Sequence, residues 1–228
     1  MKRILEPEIM DDEEQAIAYA NADFSDSNQL FVDLLFLEYK SKFKNILDIG
    51  CGPADVPIRI ILKDPAIKIT AMDASEQMIH QAKRAIQKYG FVKNINTLIA
   101  RVPGLKLNKY PFDTIISKDL LHHLPDPLLF WDELKRLVKL FNRATKIFIM
   151  DLFRPESIQK AKEIVDTVSG NEPEILKKDF YHSLLASFTV NEIQNQLKQS
   201  KMRLKVEQVS ERHFIIKGIL KFQSKNNK

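Results

Sequence analysis

From residue 44 onward the chain alternates between short apolar runs and longer stretches with helical periodicity. The apolar runs are "NILDIG", "IKITAMD", "INTLIAR", "FDTIISK" and "TKIFIMD". Runs this short, rich in isoleucine, read as strands buried on both faces. Between them lie "DVPIRIILKD", "SEQMIHQAKRAIQKYG" and "DPLLFWDELKRLVKLF", which read as helices. Pro57 is tolerable because it falls in a first turn. Ser75 caps the second helix and Gly90 stops it, while Asp126 and Pro127 open the third. Helices follow to about residue 200, one of them starting at Thr189, where "TVNE" matches a capping box. "MRLKVEQV" and "RHFIIKGIL" read as a terminal antiparallel hairpin. Strands alternating with helices predict an α/β fold, a doubly wound, mostly parallel sheet covered on both faces. Such sheets bind ligands beyond the carboxyl ends of their strands, at the switch point.

The segment ahead of this pattern differs in composition. "DDEEQAIAYANADF" reads as a short helix capped by Asp11 or Asp12, and "SNQLFVDLLFLEYKSKF" as an amphipathic one with Leu30, Leu34 and Leu37 on its apolar face. Residues 1–43 are expected to form an N-terminal helical extension to a domain over 44–228, with residues 1–27 as a lid. Residues 1–38 hold two basic and ten acidic side chains, a local −8, which leaves +13 on the rest of a chain whose net charge is +5. From Lys198 onward there are nine Lys or Arg against Glu207 and Glu211. With no Arg-rich block and no regular interleaving of aromatics with basic residues, the basic end reads as a solvated face, and nucleic acid is the less favoured partner. The lone Cys51 excludes an internal disulfide and fits a reducing cytoplasm. "MKRILEPEIMDDEE" turns acidic where a signal peptide is apolar, and no apolar run nears the roughly 18 residues of a membrane helix. A soluble, cytoplasmic protein without a membrane partner is expected.

The glycine turn after the first strand, "GCGPAD", supplies two of the three glycines of a dinucleotide fingerprint and puts Asp55 at the third position. Asp48 and Asp55 flank it. Asp55 can cap the following helix, but Asp48 would repel a pyrophosphate and suits a ligand with a positive centre. Asp73 ends the second strand 21 residues after Gly52, where an acid can hold a ribose. A ribose together with a cationic part describes S-adenosylmethionine.

"ILDIGCGPADV", "ITAMDASEQMIHQAK" and "FDTIISKDLLHHLPDP" resemble the class I S-adenosylmethionine-dependent methyltransferases, from about residue 44 to the final hairpin. The resemblance implies a Rossmann-like sheet of seven strands with the last hairpin strand antiparallel, and S-adenosyl-L-methionine as cofactor. It implies that Asp48, Gly50, Cys51 and Gly52 line the methionine part, Asp48 through the amino group or a water. Asp73 would hold the ribose, Ala74 and Met78 the adenosine, and Ser117 would border the methyl group. Many relatives end the third strand with an acid for the adenine amino group. Arg101 stands there instead, which leaves adenine to the backbone of Arg101 and Val102.

Methyl transfer from a sulfonium rests on positioning and desolvation, and needs a base only where the acceptor must lose a proton. His122 and His123 are the candidate bases beside the site, with a structural role as the alternative for each. Tyr181 and His182 in "DFYHSLLASF" are candidates to cover the substrate, and Tyr19 and Phe24 to close over the cofactor. Trp131 reads as core, and Cys51 as a small side chain between glycines rather than a nucleophile. No cluster along the chain has metal-ligand spacing. The leading expectation is methyl transfer to a small molecule, and the acidic lid favours an acceptor with an amine or other cationic group. RNA or protein methylation is the alternative, lowered by "SKDL" in place of an "NPPY"-type loop. A nicotinamide oxidoreductase is disfavoured by Asp48 and the missing glycine. A catalytically silent cofactor-binding module is the alternative of another class.

Overall fold

The structure, a computed structural model, describes residues 1–6, 13–40, 42–107, 112–170 and 172–221, the side chains of residues 13–15 excepted. The caps expected at Asp11 or Asp12 lie outside the described residues. Seven strands form one sheet: β1 (Asn45–Ile49), β2 (Lys68–Asp73), β3 (Ile95–Ile99), β4 (Thr114–Lys118), β5 (Thr145–Leu152), β6 (Lys205–Gln208) and β7 (His213–Leu220). Their order is β3-β2-β1-β4-β5-β7-β6. All neighbours are parallel except β5–β7 and β6–β7, so the last strand of the hairpin is antiparallel as expected. The chain order reverses between β1 and β4, which makes the carboxyl end of β1 the switch point.

The helices are α1 (Glu13–Asn21), α2 (Ser25–Tyr39), α3 (Asp55–Lys63), α4 (Glu76–Lys88), α5 (Pro127–Phe141), α6 (Ile158–Ser169), α7 (Glu174–Ala186) and α8 (Val190–Gln199). The two faces of the sheet carry separate cores, because successive strand residues point opposite ways. Ile46 joins α2, α3 and α4 on one face, while Leu47 and Ile49 join α5 and α8 on the other. Local signals act as expected: the Ser75 hydroxyl accepts from the Met78 amide at 3.2 Å, and Thr189 and Glu192 form a reciprocal capping box. Asp55 is a correction. It is the first residue of α3 rather than its cap, and its carboxylate accepts from Asn28 at 2.7 Å and Arg59 at 2.6 Å, tying α2 to α3.

The N-terminal helices divide. Tyr19, Ala20 and Ala22, at the end of α1, border the cavity described below, and α1 lies against α4 and α7. By contrast α2 is part of the core, with Phe31, Val32 and Leu35 fully buried. Its Tyr39 hydroxyl donates to the Ile147 carbonyl at 2.7 Å and accepts from the Gly218 amide at 3.1 Å, bridging β5 and β7. The expected apolar face is thereby rotated: Leu37 is 73% exposed, and Leu30 and Leu34 are only half-buried. Both stripes have helical spacing, and the larger aromatic Phe31 takes the sheet side.

Candidate active site

A cavity of about 580 Å³ opens at the carboxyl ends of β1, β2 and β4. Its floor is the glycine turn. Gly50 and Gly52 have φ of +78° and +51°, the left-handed region that glycine enters without strain. A Cβ at Gly50 would also stand 3.0 Å from the Leu120 side chain. The amides of Gly50 and Cys51 both donate to the Met72 carbonyl, at 2.8 and 2.9 Å, and the Gly52 amide donates to Asp73 at 2.9 Å. The turn therefore spends these N–H groups on the end of β2. A phosphate-cradling turn would keep them free for its ligand.

Asp48 lines the cavity, is 3% exposed, and its carboxyl makes no hydrogen bond among the described residues. Burial, with the nearby charge of Asp73, pushes its carboxyl up to about 8. A cationic ligand group is what this acid lacks. Asp73 is differently placed: its two oxygens accept from the Gly52 and Ser75 amides, at 2.9 and 3.0 Å. Each carboxylate oxygen keeps a further acceptor site for ligand hydroxyls.

Gly50, Cys51, Gly52, Ala74, Met78, Arg101 and Val102 also line the cavity, as does Tyr19. The Tyr19 ring lies over Gly52 and 4.6 Å from the Phe24 ring. Burial and the charge of Asp119 push its phenol up, so it stays a hydrogen-bond donor. Burial likewise raises the Cys51 thiol well above its ordinary value, which fits a packing role.

Three expected site residues stand elsewhere. Ser117 is 1% exposed and turns its hydroxyl inward to the Ile49 carbonyl at 2.7 Å; Lys118 and Asp119, beyond it, border the cavity. Tyr181 packs in a separate cluster of α6 and α7, with Leu184 and Leu185, away from the cavity lining. His122 and His123 lie on one 3-10 turn, Leu121–His123, yet only His123 lines the cavity.

His122 is 2% exposed, and its Nδ1 pairs with Asp151 Oδ1 at 2.5 Å. Burial would lower its pKa, but the charge and hydrogen bond of Asp151, with Glu6 beyond, push it up to about 9. His123 Nδ1 pairs with Glu6 Oε2, and Glu6 Oε1 accepts from the Ser183 hydroxyl at 2.6 Å. Burial would raise the Glu6 carboxyl; the hydrogen bond and charge of His123 outweigh it and hold the group down at about 2. Ligand atoms of Glu6, His122 and His123 lie within 4.8 Å of one another, close enough to share a cation. Spacing along the chain could not reveal this group, because Glu6 and His123 are 117 residues apart.

An open α/β sheet with this switch-point cavity and an unpartnered acid under a glycine turn has the Rossmann-like arrangement of a methyltransferase domain. The family model described as "Methyltransferase domain" matches residues 40–202, and the chain belongs to that family. An uncharacterized methyltransferase of Schizosaccharomyces pombe is 30% identical over 108 residues, 45% of this chain and 39% of that protein. A ubiquinone biosynthesis O-methyltransferase of Coxiella burnetii is 31% identical over 113 residues, 50% of this chain and 45% of that protein. The chain thus spans less than half the length of these curated relatives. A solved structure of a SAM-dependent methyltransferase from Aquifex aeolicus superposes with a TM-score of 0.68 at 19% identity, over 91% of this chain and 98% of that one. The plantazolicin methyltransferase BpumL, solved with S-adenosylhomocysteine and a triazolic desmethylPZN analog, gives 0.64 at 18% identity, over 90% of each chain. Among the described residues no helix is long and apolar enough to cross a membrane.

Proposed function

We propose that this protein transfers the methyl group of S-adenosylmethionine to a small molecule seated between the glycine turn and the loop of residues 120–125. The observation that carries this reading is the pairing of a turn whose amides are already used with a buried, unpartnered Asp48. In this reading the cofactor's ammonium meets Asp48, directly or through a water, and its ribose meets Asp73. Adenine lies by Met78 and the backbone of Arg101 and Val102. His123 is the candidate base. Supporting a small acceptor, Tyr19 and Phe24 roof the cavity. Two relatives are named for ubiquinone biosynthesis and plantazolicin, and acceptors of that size are carried over to this chain. The lone cysteine supports a cytoplasmic setting.

The preference for a cationic acceptor is not carried further: of the described acids in the N-terminal segment, Asp33 pairs with Lys63, Glu38 with Lys217 and Glu6 with His123, while Asp23 lines the cavity. RNA is disfavoured because the exposed Lys201, Arg203 and Lys205 lie at or beside β6, the sheet edge remote from β1. The deciding experiment supplies labelled S-adenosylmethionine to cell fractions. Label in small metabolites is expected; label in tRNA or rRNA with steep salt dependence would reverse the assignment.

Cofactor binding itself has two expected signatures. Asp73→Ala should weaken S-adenosylmethionine binding by about ten- to a hundred-fold, since hydrogen bonds to a charged acceptor contribute roughly 1.5–3 kcal/mol. Unchanged affinity by calorimetry in the folded variant would remove Asp73 from the site. Asp48 should release a proton when the cofactor binds. With its pKa at about 8 the free carboxyl is mostly protonated at pH 7, and a cation beside it favours the carboxylate. Binding enthalpy should therefore depend on the ionisation enthalpy of the buffer, and Asp48→Asn should abolish that dependence. Equal enthalpies for the wild type in phosphate and Tris would show that Asp48 does not meet the cation.

A further inference from the structure

The segment Met1–Glu6 crosses the tail of α7 and ends at the turn that carries the two histidines. It is fastened outside the cavity. Arg3 donates to the carbonyls of Ala186 at 2.5 Å, His122 at 2.8 Å and Leu124 at 2.9 Å, and its guanidinium stands 3.9 Å over the Phe188 ring. The Ile4 amide donates to the Leu185 carbonyl at 3.1 Å. These contacts deliver Glu6 to His123 Nδ1, where the carboxylate accepts from Nδ1–H whether or not the ring carries a second proton, and so fixes that tautomer when the ring is neutral. Nε2 then keeps its lone pair, and it has no hydrogen-bond partner among the described residues. Behind it His122, whose ring centroid is 4.1 Å from that of His123, is held between Asp151 and Glu6.

We propose that Glu6 is a positioning residue for His123, holding it as the base that takes the proton of a hydroxyl acceptor during methyl transfer. The inference rests on the small-molecule reading above and narrows it. An alcohol or phenol attacks well only as its proton leaves, whereas an amine that arrives neutral attacks through its lone pair and loses its proton afterwards. A positioned base therefore suits a hydroxyl acceptor. In the step, the acceptor oxygen forms a bond to the methyl carbon as the carbon–sulfur bond breaks. The sulfonium keeps that electron pair and becomes the neutral thioether of S-adenosylhomocysteine. The hydroxyl proton moves to His123 Nε2, and the products are a methyl ether and an imidazolium paired with Glu6.

The test uses the full chain and two independent readouts. Nitrogen-15 NMR of the histidine rings, with S-adenosylhomocysteine bound, is expected to show His123 as the Nδ1–H tautomer, and to lose that preference in Glu6→Ala. Turnover is measured as label passed from S-adenosylmethionine to a small-metabolite fraction, with the methylated atom identified by mass spectrometry. Glu6→Gln should lose about ten- to a hundred-fold in kcat, part of the 10²–10⁴ that a positioned base contributes, with S-adenosylhomocysteine affinity unchanged. Glu6→Asp should recover part of the loss. An Nε2–H tautomer in the wild type, full turnover of Glu6→Gln, or a product methylated on nitrogen would each overturn the proposal. So would stoichiometric zinc binding that raises turnover, since the cluster would then be a metal site. A lack of labelled small molecules would sink the small-molecule reading instead, and the tautomer would still decide the role of Glu6.

Discussion

Replacing His123 by Asn should lower kcat by about two to three orders of magnitude, within the range a positioned general base contributes. Asn fills much of the same space and keeps a hydrogen-bonding group toward Glu6, but it cannot take up a proton. His123 borders the cavity while its neighbour is sealed behind the turn, so the two residues should part in their effects. His123→Asn should leave S-adenosylhomocysteine affinity and the unfolding midpoint near wild type. His122→Asn should instead lower stability, because Asp151 loses its buried cationic partner and is left short of one hydrogen bond. Folded-state pairing that raises the His122 pKa to about 9 contributes stability in full below its unfolded value of about 6.5. That contribution fades as pH rises through 9. Steady-state kinetics beside denaturation curves at pH 6 and pH 10 separate the roles. Equal turnover of His123→Asn and wild type would leave the reaction without a histidine base.

The largest loss of stability is expected from Trp131→Ala. The Trp131 side chain is fully buried in α5, meets Phe130 edge-on at 5.2 Å and donates from its indole nitrogen to Gln196 of α8 at 3.0 Å. Truncating a buried Trp costs about 3–5 kcal/mol through lost transfer energy and the cavity left behind. That is a large part of the 5–15 kcal/mol that separates folded from unfolded domains. Urea denaturation followed by circular dichroism should show a lower midpoint with an unchanged slope. Trp131→Phe, which keeps most of the volume, should lose much less. The effect should reach function as well, since Leu129 and Phe130 of the same helix line the cavity. A midpoint equal to wild type in Trp131→Ala would mean that α5 and α8 do not depend on this contact.

The alternation of strand and helix, the helix caps at Ser75, Asp126 and Thr189, and the glycine turn were all legible in the sequence, because each has a local cause. Side-chain period, a hydroxyl one turn from free amides, and the need for positive φ act within a few residues. The charge argument at Asp48 was local too, since repulsion between a carboxylate and a phosphate needs only their proximity to one turn. Other features were decided by tertiary structure. The sheet chose Phe31 over Leu37 as the buried face of α2, because both stripes have helical spacing and only the surface they meet distinguishes them. Ser117 faces inward because the Ile49 carbonyl is there to accept from it. His122 and His123 are adjacent in sequence and their rings lie side by side, yet only His123 lines the cavity, because His122 is sealed behind it against Asp151. Glu6 had no signal of its own. Its partner is 117 residues away, and a single carboxylate in an acidic segment is singled out only when the folded chain presses it against one particular ring.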